Sequence, residues 1–321
     1  MSIIKASVII PTKNPGVIFK EVLHAVLAQK TNWPFEIVVI DSGSKDGTVD
    51  FIKQHPEVTL LEIPAHEFGH GRSRNFAISQ SSGEYIAVIT HDAKPATSQW
   101  LQHLVDIAES NEKIAGVFGR HIAYPHASLF TSRELELHFS GFKAAPIVFM
   151  DDPARYSCDV GYRQFLHFFS DNNALIRRSV WTLIPYPDVD FAEDQSWAKQ
   201  IIEAGYYKAY SEEGVVYHSH DYTLYERLQR SFDESYAFKR FFGYILCPSL
   251  SSMCKSIAAL SQRDIAYGRS LGLLRKSPGV IIFAVLDNFM RVAGHYLGAR
   301  GERIPVFIRN RISRDKKLFA Q

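Results

Sequence analysis

The chain has 321 residues, of which 46% are hydrophobic and 22% charged, with a formal net charge of +2. This composition excludes a disordered or collagen-like chain, and the near-balance of charge argues against a dedicated nucleic-acid binder. The length allows a sizeable core, in one large domain with an appendage or in two domains.

The first 120 residues alternate strand and helix signals. Ala6 to Ile10 is a short β-branched run ended by Pro11 and reads as a buried strand. Val17 to Gln29 has helical apolar spacing. Glu36 to Ile40 is a second buried strand, stopped by the polar loop Asp41 to Gly47, and Asp46 or Thr48 is placed to cap a helix running to Gln54. Val58 to Ile63 is a third strand. The loop His66 to Gly71 leads into a helix from Ser73 to Ser79, which Gly83 is expected to end, and Tyr85 to Thr90 is a fourth strand. Further on, Gly116 to His121 and Asn173 to Arg177 read as strands joined by a long aromatic-rich connection. Phe191 to Ala204 reads as a helix ended by Gly205. After a soft boundary near Tyr222 the pattern is helical. The expected architecture is α/β, a mostly parallel central sheet with helices on both faces over residues 1–222, then a helical, aromatic and basic region over 223–321.

Five constellations could carry chemistry. Pro11-Thr12-Lys13-Asn14 and Asp41 to Thr48 follow strands one and two, where open parallel sheets bind ligands. Asp41 suits a pyrimidine imino hydrogen or a ribose hydroxyl, but an Asx-turn with a helix cap uses the same residues. No GxGxxG or GxxxxGK[ST] is present, so the dinucleotide and P-loop readings lack their phosphate cradles. Thr90-His91-Asp92-Ala93 puts a polar burst on the end of strand four. One carboxylate there can hold Mg²⁺ or Mn²⁺ beside water and phosphate oxygens, and an N-cap is the plainer use. Arg72 and Arg74, in a glycine-preceded helix start, suit a pyrophosphate. Within that segment His66-Glu67-Phe68-Gly69-His70 matches HExxH. Its glycines and Pro64 oppose the regular helix that a zinc site needs. Glu193-Asp194 at a helix start offers a general base, or two carboxylates placed to suit the helix dipole. His218-Ser219-His220, after a short strand, suggests contact with metal or phosphate.

In order along the chain, Ser7 to Asn14, Ile37 to Thr48 and Gly83-Glu84-Tyr85 resemble a family 2 glycosyltransferase of the GT-A fold. Phe68 to Asn75, Thr90 to Ala93 and Gly116 to Arg120 resemble its bacterial rhamnosyltransferase branch, and the likeness covers roughly residues 5–222. The resemblance implies a nucleotide-sugar donor, with dTDP-L-rhamnose first and a UDP-hexose as the alternative. It also implies Mg²⁺ or Mn²⁺, inverting transfer, and an oligosaccharide or lipid-linked acceptor of a surface polysaccharide such as an O-antigen. Donor contacts then fall on Pro11, Thr12, Asn14, Asp41, Arg72, Arg74, His91 and His218, metal contacts on Asp92 and His218, and the catalytic base on Asp194. Thr90 departs from the family's DxD pattern at its first Asp, and a non-catalytic nucleotide-sugar-binding module is the reading that departure leaves open. Asp194 is expected to stay ionised under the helix dipole, with an unraised pKa.

Beyond residue 230, Tyr236, Phe238, Phe241, Phe242 and Tyr244 mix with Lys239 and Arg240, and the end carries Arg300, Arg303, Arg309, Arg311, Arg314, Lys316 and Lys317. Such a mixture suits an anionic membrane surface or an oligomer interface. The apolar run Val280 to Leu286 is too short for a bilayer span. The start shows no signal-peptide pattern, and three cysteines without a CxxC pair fit a reducing compartment. A cytoplasmic protein, peripheral on the inner membrane where it docks, is the expectation.

Overall fold

The computed structural model describes residues 3–189 and 191–315, so Lys316 and Lys317 lie outside the described residues. The chain forms two compact units, Met1–Ser219 and His220–Gln321.

The first unit is built on one sheet. Its strands are β1 (Ala6–Thr12), β2 (Phe35–Asp41), β3 (Val58–Glu62), β4 (Tyr85–Ile89), β5 (Lys94–Pro95), β6 (Ile114–Ile122), β7 (Ile147–Val148), β8 (Asn173–Arg177) and β9 (Tyr207–Tyr217). Their order is β3-β2-β1-β4-β8-β6-β9-β5, with β7 also on β9. β1 to β4 pair in parallel. β8 runs against both β4 and β6, while β6 and β9 are parallel to each other. The sheet is therefore mostly parallel. The reversal at β8 was not readable from a buried apolar run, which looks alike in either direction.

Both faces are covered, which is why the central strands are apolar without alternation. Val8, Ile10, Val39 and Ala87 face the helices Ile18–Leu27 and Trp100–Glu109. Ile9, Val38, Ile86 and Val88 face the helices His70–Ser79 and Glu193–Glu203. Gly83 does not end a helix, since the preceding one stops at Ser79. A Cβ on Gly83 would lie 2.5 Å from the β1 backbone, so a side chain there would push β1 and the approach to β4 apart.

The connection between β6 and β8 is more ordered than its sequence suggests. It holds the helices Leu129–Ser140, Pro153–Cys158 and Val160–His167, with side-chain caps from Ser128, Asp152 and Asp159.

Strand direction collects the functional candidates. Thr12 pairs with Asp41, Ile89 with Asn173, and Ile122 with Tyr217. The carboxyl ends of β1, β2, β4 and β9 and the amino end of β8 thus share one edge of the sheet. Thr12, Asp41, Thr90 to Asp92, Asp171 and His218 stand along it.

The second unit is helical. Its long helices are Leu224–Phe242, Leu250–Ser270 and Pro278–Gly298. A capping box between Thr223 and Glu226 starts the first. The last packs on the first through Gly294 and Gly298, where a Cβ would lie 2.6 Å from Leu228 O and 2.3 Å from Phe232 O. Helix Pro278–Gly298 has 21 residues and is long and apolar enough to cross a membrane by length and composition. The expectation drawn from the run Val280 to Leu286 is corrected here, because Asp287 and Arg291 do not interrupt the helix. They pair with each other at 3.5 Å, and Asp287 also takes Arg227 at 2.7 Å.

Candidate active site

The loops after β1 and β2 are fastened together. The Asn14 N–H donates to Ser44 Oγ at 2.8 Å, the Lys45 N–H to Asn14 Oδ1 at 2.7 Å, and the Gly16 N–H to Asp46 Oδ2 at 3.0 Å. Asn14 takes a left-handed backbone, with φ 43°. Neither Asp46 nor Thr48 is the N-cap of the helix Thr48–Ile52: Gly47 takes that place without a side-chain cap, and Thr48 donates to Asp46 through N–H at 3.2 Å and Oγ1 at 2.6 Å. Asp41 is buried and accepts four hydrogen bonds. Thr12 Oγ1 donates at 3.0 Å, the Gly43 N–H at 2.9 Å, the Ser44 N–H at 2.8 Å, and Ser44 Oγ also donates. A carboxylate has about four lone-pair sites, so a nucleobase reaches Asp41 only by displacing one of these donors. Pro11, in β1, is half-buried.

A second group sits at the ends of β4 and β9. His218 Nε2 lies 3.6 Å from Asp92 Oδ1. That spacing suits convergence on one small cation. His218 is steadied by its own N–H, which donates to Ile122 O at 2.9 Å, and by the His121 ring at 5.3 Å. Tyr124 Oη donates to Asp92 O at 3.0 Å and fixes the turn that carries the carboxylate. His91 is half-buried beside Asp92, and Thr90 Oγ1 is buried without a hydrogen-bond partner.

The third group surrounds the start of helix Glu193–Glu203. Ala192, a non-glycine residue at φ 54°, turns the chain so that Glu193 and Asp194 open the helix. Glu193 is buried against Arg74 Nη1. Asp194 is half-buried, with Oδ1 accepting from the Gln195 N–H at 2.7 Å and Oδ2 from the Asp171 N–H at 3.3 Å. Arg74 Nε lies 3.4 Å from Asp171 Oδ2, and Tyr186 Oη donates to Asp171 Oδ1 at 2.7 Å.

Three carboxylates on one guanidinium cannot all keep ordinary acidities. Burial, then Glu193 and Asp171, raise Asp194 well above the usual carboxylate range. Burial pushes Asp171 up to about 6 against the pull of Arg74. Burial also pushes on Glu193, but Arg74 and His70 outweigh it and hold Glu193 low. The expectation that the helix dipole would leave Asp194 unraised is thus corrected. Desolvation and two like charges exceed the fraction of a charge at a helix end. Arg74 is also placed differently from the expectation, since its guanidinium is 5% exposed and engaged by carboxylates. Arg72 is exposed and holds Asp188 through Nε at 3.1 Å and Nη2 at 2.8 Å. The HExxH segment is no helix: a short 3₁₀ turn ends at Glu67 and a new helix starts at His70.

Residues 7–183, more than half of the chain, match the model of glycosyl transferase family 2. The chain belongs to that family. It is a glycosyltransferase, and two relatives span most of its length. The O-antigen chain rhamnosyltransferase RfbN of Salmonella typhimurium LT2 is 31% identical over 315 residues, covering 94% of this chain and 92% of that protein. WbaN of Salmonella anatum, also named an O-antigen chain rhamnosyltransferase, is 27% identical over 314 residues, covering 94% and 91%. The fold is shared with the mannosyltransferase PcManGT of Pyrobaculum calidifontis, solved with GDP-Man and Mn²⁺, at TM-score 0.58 and 18% identity over 90% of this chain and 85% of that one.

One residue bonded to the base candidate stood outside the expected set: Asp171 gave only a faint signal, a carboxylate in the polar run Ser170 to Asn172 just before a buried strand.

Proposed function

We propose that this glycosyltransferase is an inverting rhamnosyltransferase. It takes L-rhamnose from dTDP-L-rhamnose and adds it to a hydroxyl of an oligosaccharide or lipid-linked acceptor in the assembly of an O-antigen-type polysaccharide. The donor sugar and acceptor rest on the names of the two Salmonella relatives, each alike over nearly the whole chain. The chemistry rests on one observation: the sheet edge that gathers Asp41, Asp92 and His218 also carries Asp171, to which the base candidate Asp194 is bonded.

Asp194 accepts the proton of the acceptor hydroxyl as its oxygen bonds to the anomeric carbon. The bond from that carbon to the diphosphate oxygen breaks, and the nucleoside diphosphate leaves with the electron pair. One such displacement inverts the centre, and no carboxylate nucleophile is needed. The loops of Asn14 and Asp41 hold the nucleoside. Arg72 is free to turn from an exposed pairing toward the diphosphate, with His91 beside it. Asp92 and His218 would hold Mg²⁺ or Mn²⁺, and an imidazole beside a carboxylate favours Mn²⁺. When bound, the cation neutralises charge on the leaving diphosphate.

The test is a donor panel with product analysis. Turnover with dTDP-L-rhamnose should exceed that with UDP- and GDP-sugars, and NMR should show an anomeric configuration opposite to that of the donor. Retention would reject the single displacement. A preference for a UDP-hexose would reject the donor.

We further place the second unit against an anionic membrane surface. Helix Pro278–Gly298 buries Ile281, Ala284, Asn288, Val292, Gly294 and Gly298 while exposing Ile282, Phe283, Leu286 and Phe289. A helix that keeps large apolar residues on its outward face as well as its inner one is suited to a non-aqueous neighbour.

A further inference from the structure

Asp194 alone does not account for the charges buried behind it. A base needs one carboxylate. This site holds three, with one guanidinium, and burying charges in excess of their partners costs stability. The contacts are ordered. Arg74 sits between Asp171, at 3.4 Å, and Glu193, to which its Nη1 is bonded. Asp171 in turn is held by Tyr186 Oη at 2.7 Å and gives its backbone N–H to Asp194 Oδ2 at 3.3 Å. Asp171 comes from the turn before β8, Arg74 from helix His70–Ser79, and Tyr186 from the segment after β8. Three elements thus converge on the start of a fourth. His70, on the same helix as Arg74, faces Glu193 at 3.9 Å. The groups facing Asp194 are then Glu193 on its own helix and Asp171, Arg74 and Tyr186 from its neighbours.

We propose that Asp171 and Arg74 are positioning residues for the base: together they fix the Asp194 carboxylate, and the charge of Asp171 sets the pH at which Asp194 can accept the acceptor's proton. Glu193 and Asp171 take the near contacts of Arg74, so Arg74 offsets the burial of Asp194 only weakly. Asp171 stands on the other side as a like charge. A buried carboxylate facing two like charges holds a proton more tightly and is a stronger base once ionised. This inference rests on the assignment of Asp194 as base.

The experiment is the pH profile of kcat for the full chain, beside two variants. Asp171→Asn keeps the backbone N–H to Asp194 and an acceptor for Tyr186, but removes the charge. The acidic limb should move down by about one pH unit, and the plateau should drop a few-fold because the base is weaker. Tyr186→Phe removes one donor to Asp171, makes that carboxylate easier to neutralise, and should move the limb the same way by less. Nucleotide binding by calorimetry identifies folded variants. A limb at the wild-type pH in every folded variant would overturn the proposal. Asp194→Asn separates the two assignments: its limb should vanish with most of the activity. Wild-type activity in Asp194→Asn removes the base itself. A dead Asp194→Asn beside an unmoved Asp171→Asn removes only the role of Asp171.

Discussion

A single side chain at this edge does different work according to its neighbours, and Asp92 is a direct case. It sits 3.6 Å from His218, at a strand end where the expected first Asp is Thr90, whose hydroxyl is buried and unbonded. The pair Asp92 and His218 should therefore carry the cation without help from position 90. Asp92→Ala and His218→Ala should each leave the fold intact, lower transfer at least 10-fold, and weaken Mn²⁺ binding as read by the EPR signal of the free ion. Unchanged Mn²⁺ binding in both would move the cation elsewhere. The placement of Asp92 and His218 at one sheet edge was legible because strand ends are legible: each follows a buried apolar run. Asp41 was legible in place but not in bonding, since spacing cannot tell a lone pair aimed at a ligand from one filled by Ser44. Arg74 misled for a related reason. A sequence shows a charge without showing what neutralises it, and Glu193 and Asp171 are 119 and 97 positions away.

Elements were legible where their period was strong. β1, β2 and β4, and the helices with a clear apolar stripe, fall within a residue or two of the expected bounds. The helices Leu129–Ser140 and Pro153–Cys158 were hidden because the first buries Phe139 and the second buries nothing, so neither has a stripe to detect. Helix Pro278–Gly298 was hidden by charge. Asp287 lies on its inner side, partly buried with Arg227 and Arg291, and so breaks the run of apolar letters without breaking the outward face. Positions 265–286 contain no Asp or Glu and include Arg269, Arg275 and Lys276. An exposed apolar face beside cations fits anionic lipid better than neutral lipid. The full chain should sediment with vesicles containing phosphatidylglycerol more than with phosphatidylcholine alone. Phe283→Glu with Phe289→Glu should abolish that sedimentation while transfer to a soluble acceptor persists. Concentration-dependent self-association lost in the same double variant, without vesicle binding, would assign the face to a second copy of the chain instead.

At the scale of the molecule, stability carries the mark of the site. His167 is buried, with Nε2 in a 2.8 Å hydrogen bond to Tyr156 Oη, and burial pushes its pKa from 6.5 down to about 3. Below pH 6.5 the unfolded chain takes up a proton that the folded chain refuses, so His167 removes stability as the solution is acidified. Asp171 and Asp194 act in the opposite sense. Their folded pKa values lie above the unfolded one, so the folded chain binds the extra proton first and gains stability as pH falls. Between pH 6.5 and 5 His167 costs up to about 2 kcal/mol, since one pH unit corresponds to about 1.4 kcal/mol. Carboxylates held low, such as Glu193 and Glu234, contribute little in that window because they titrate below it. Two substitutions should therefore tilt the pH dependence in opposite directions. Asp194→Asn deletes a gain, so its Tm should fall further than that of the wild type between pH 6.5 and 5. His167→Gln keeps a hydrogen-bonding group near Tyr156 and deletes a loss, so its Tm should fall less, or rise. Calorimetric scans at the two pH values decide this. Parallel Tm shifts in wild type and Asp194→Asn would mean that Asp194 is ionised in the folded protein throughout, and that the charges around it do not hold its proton.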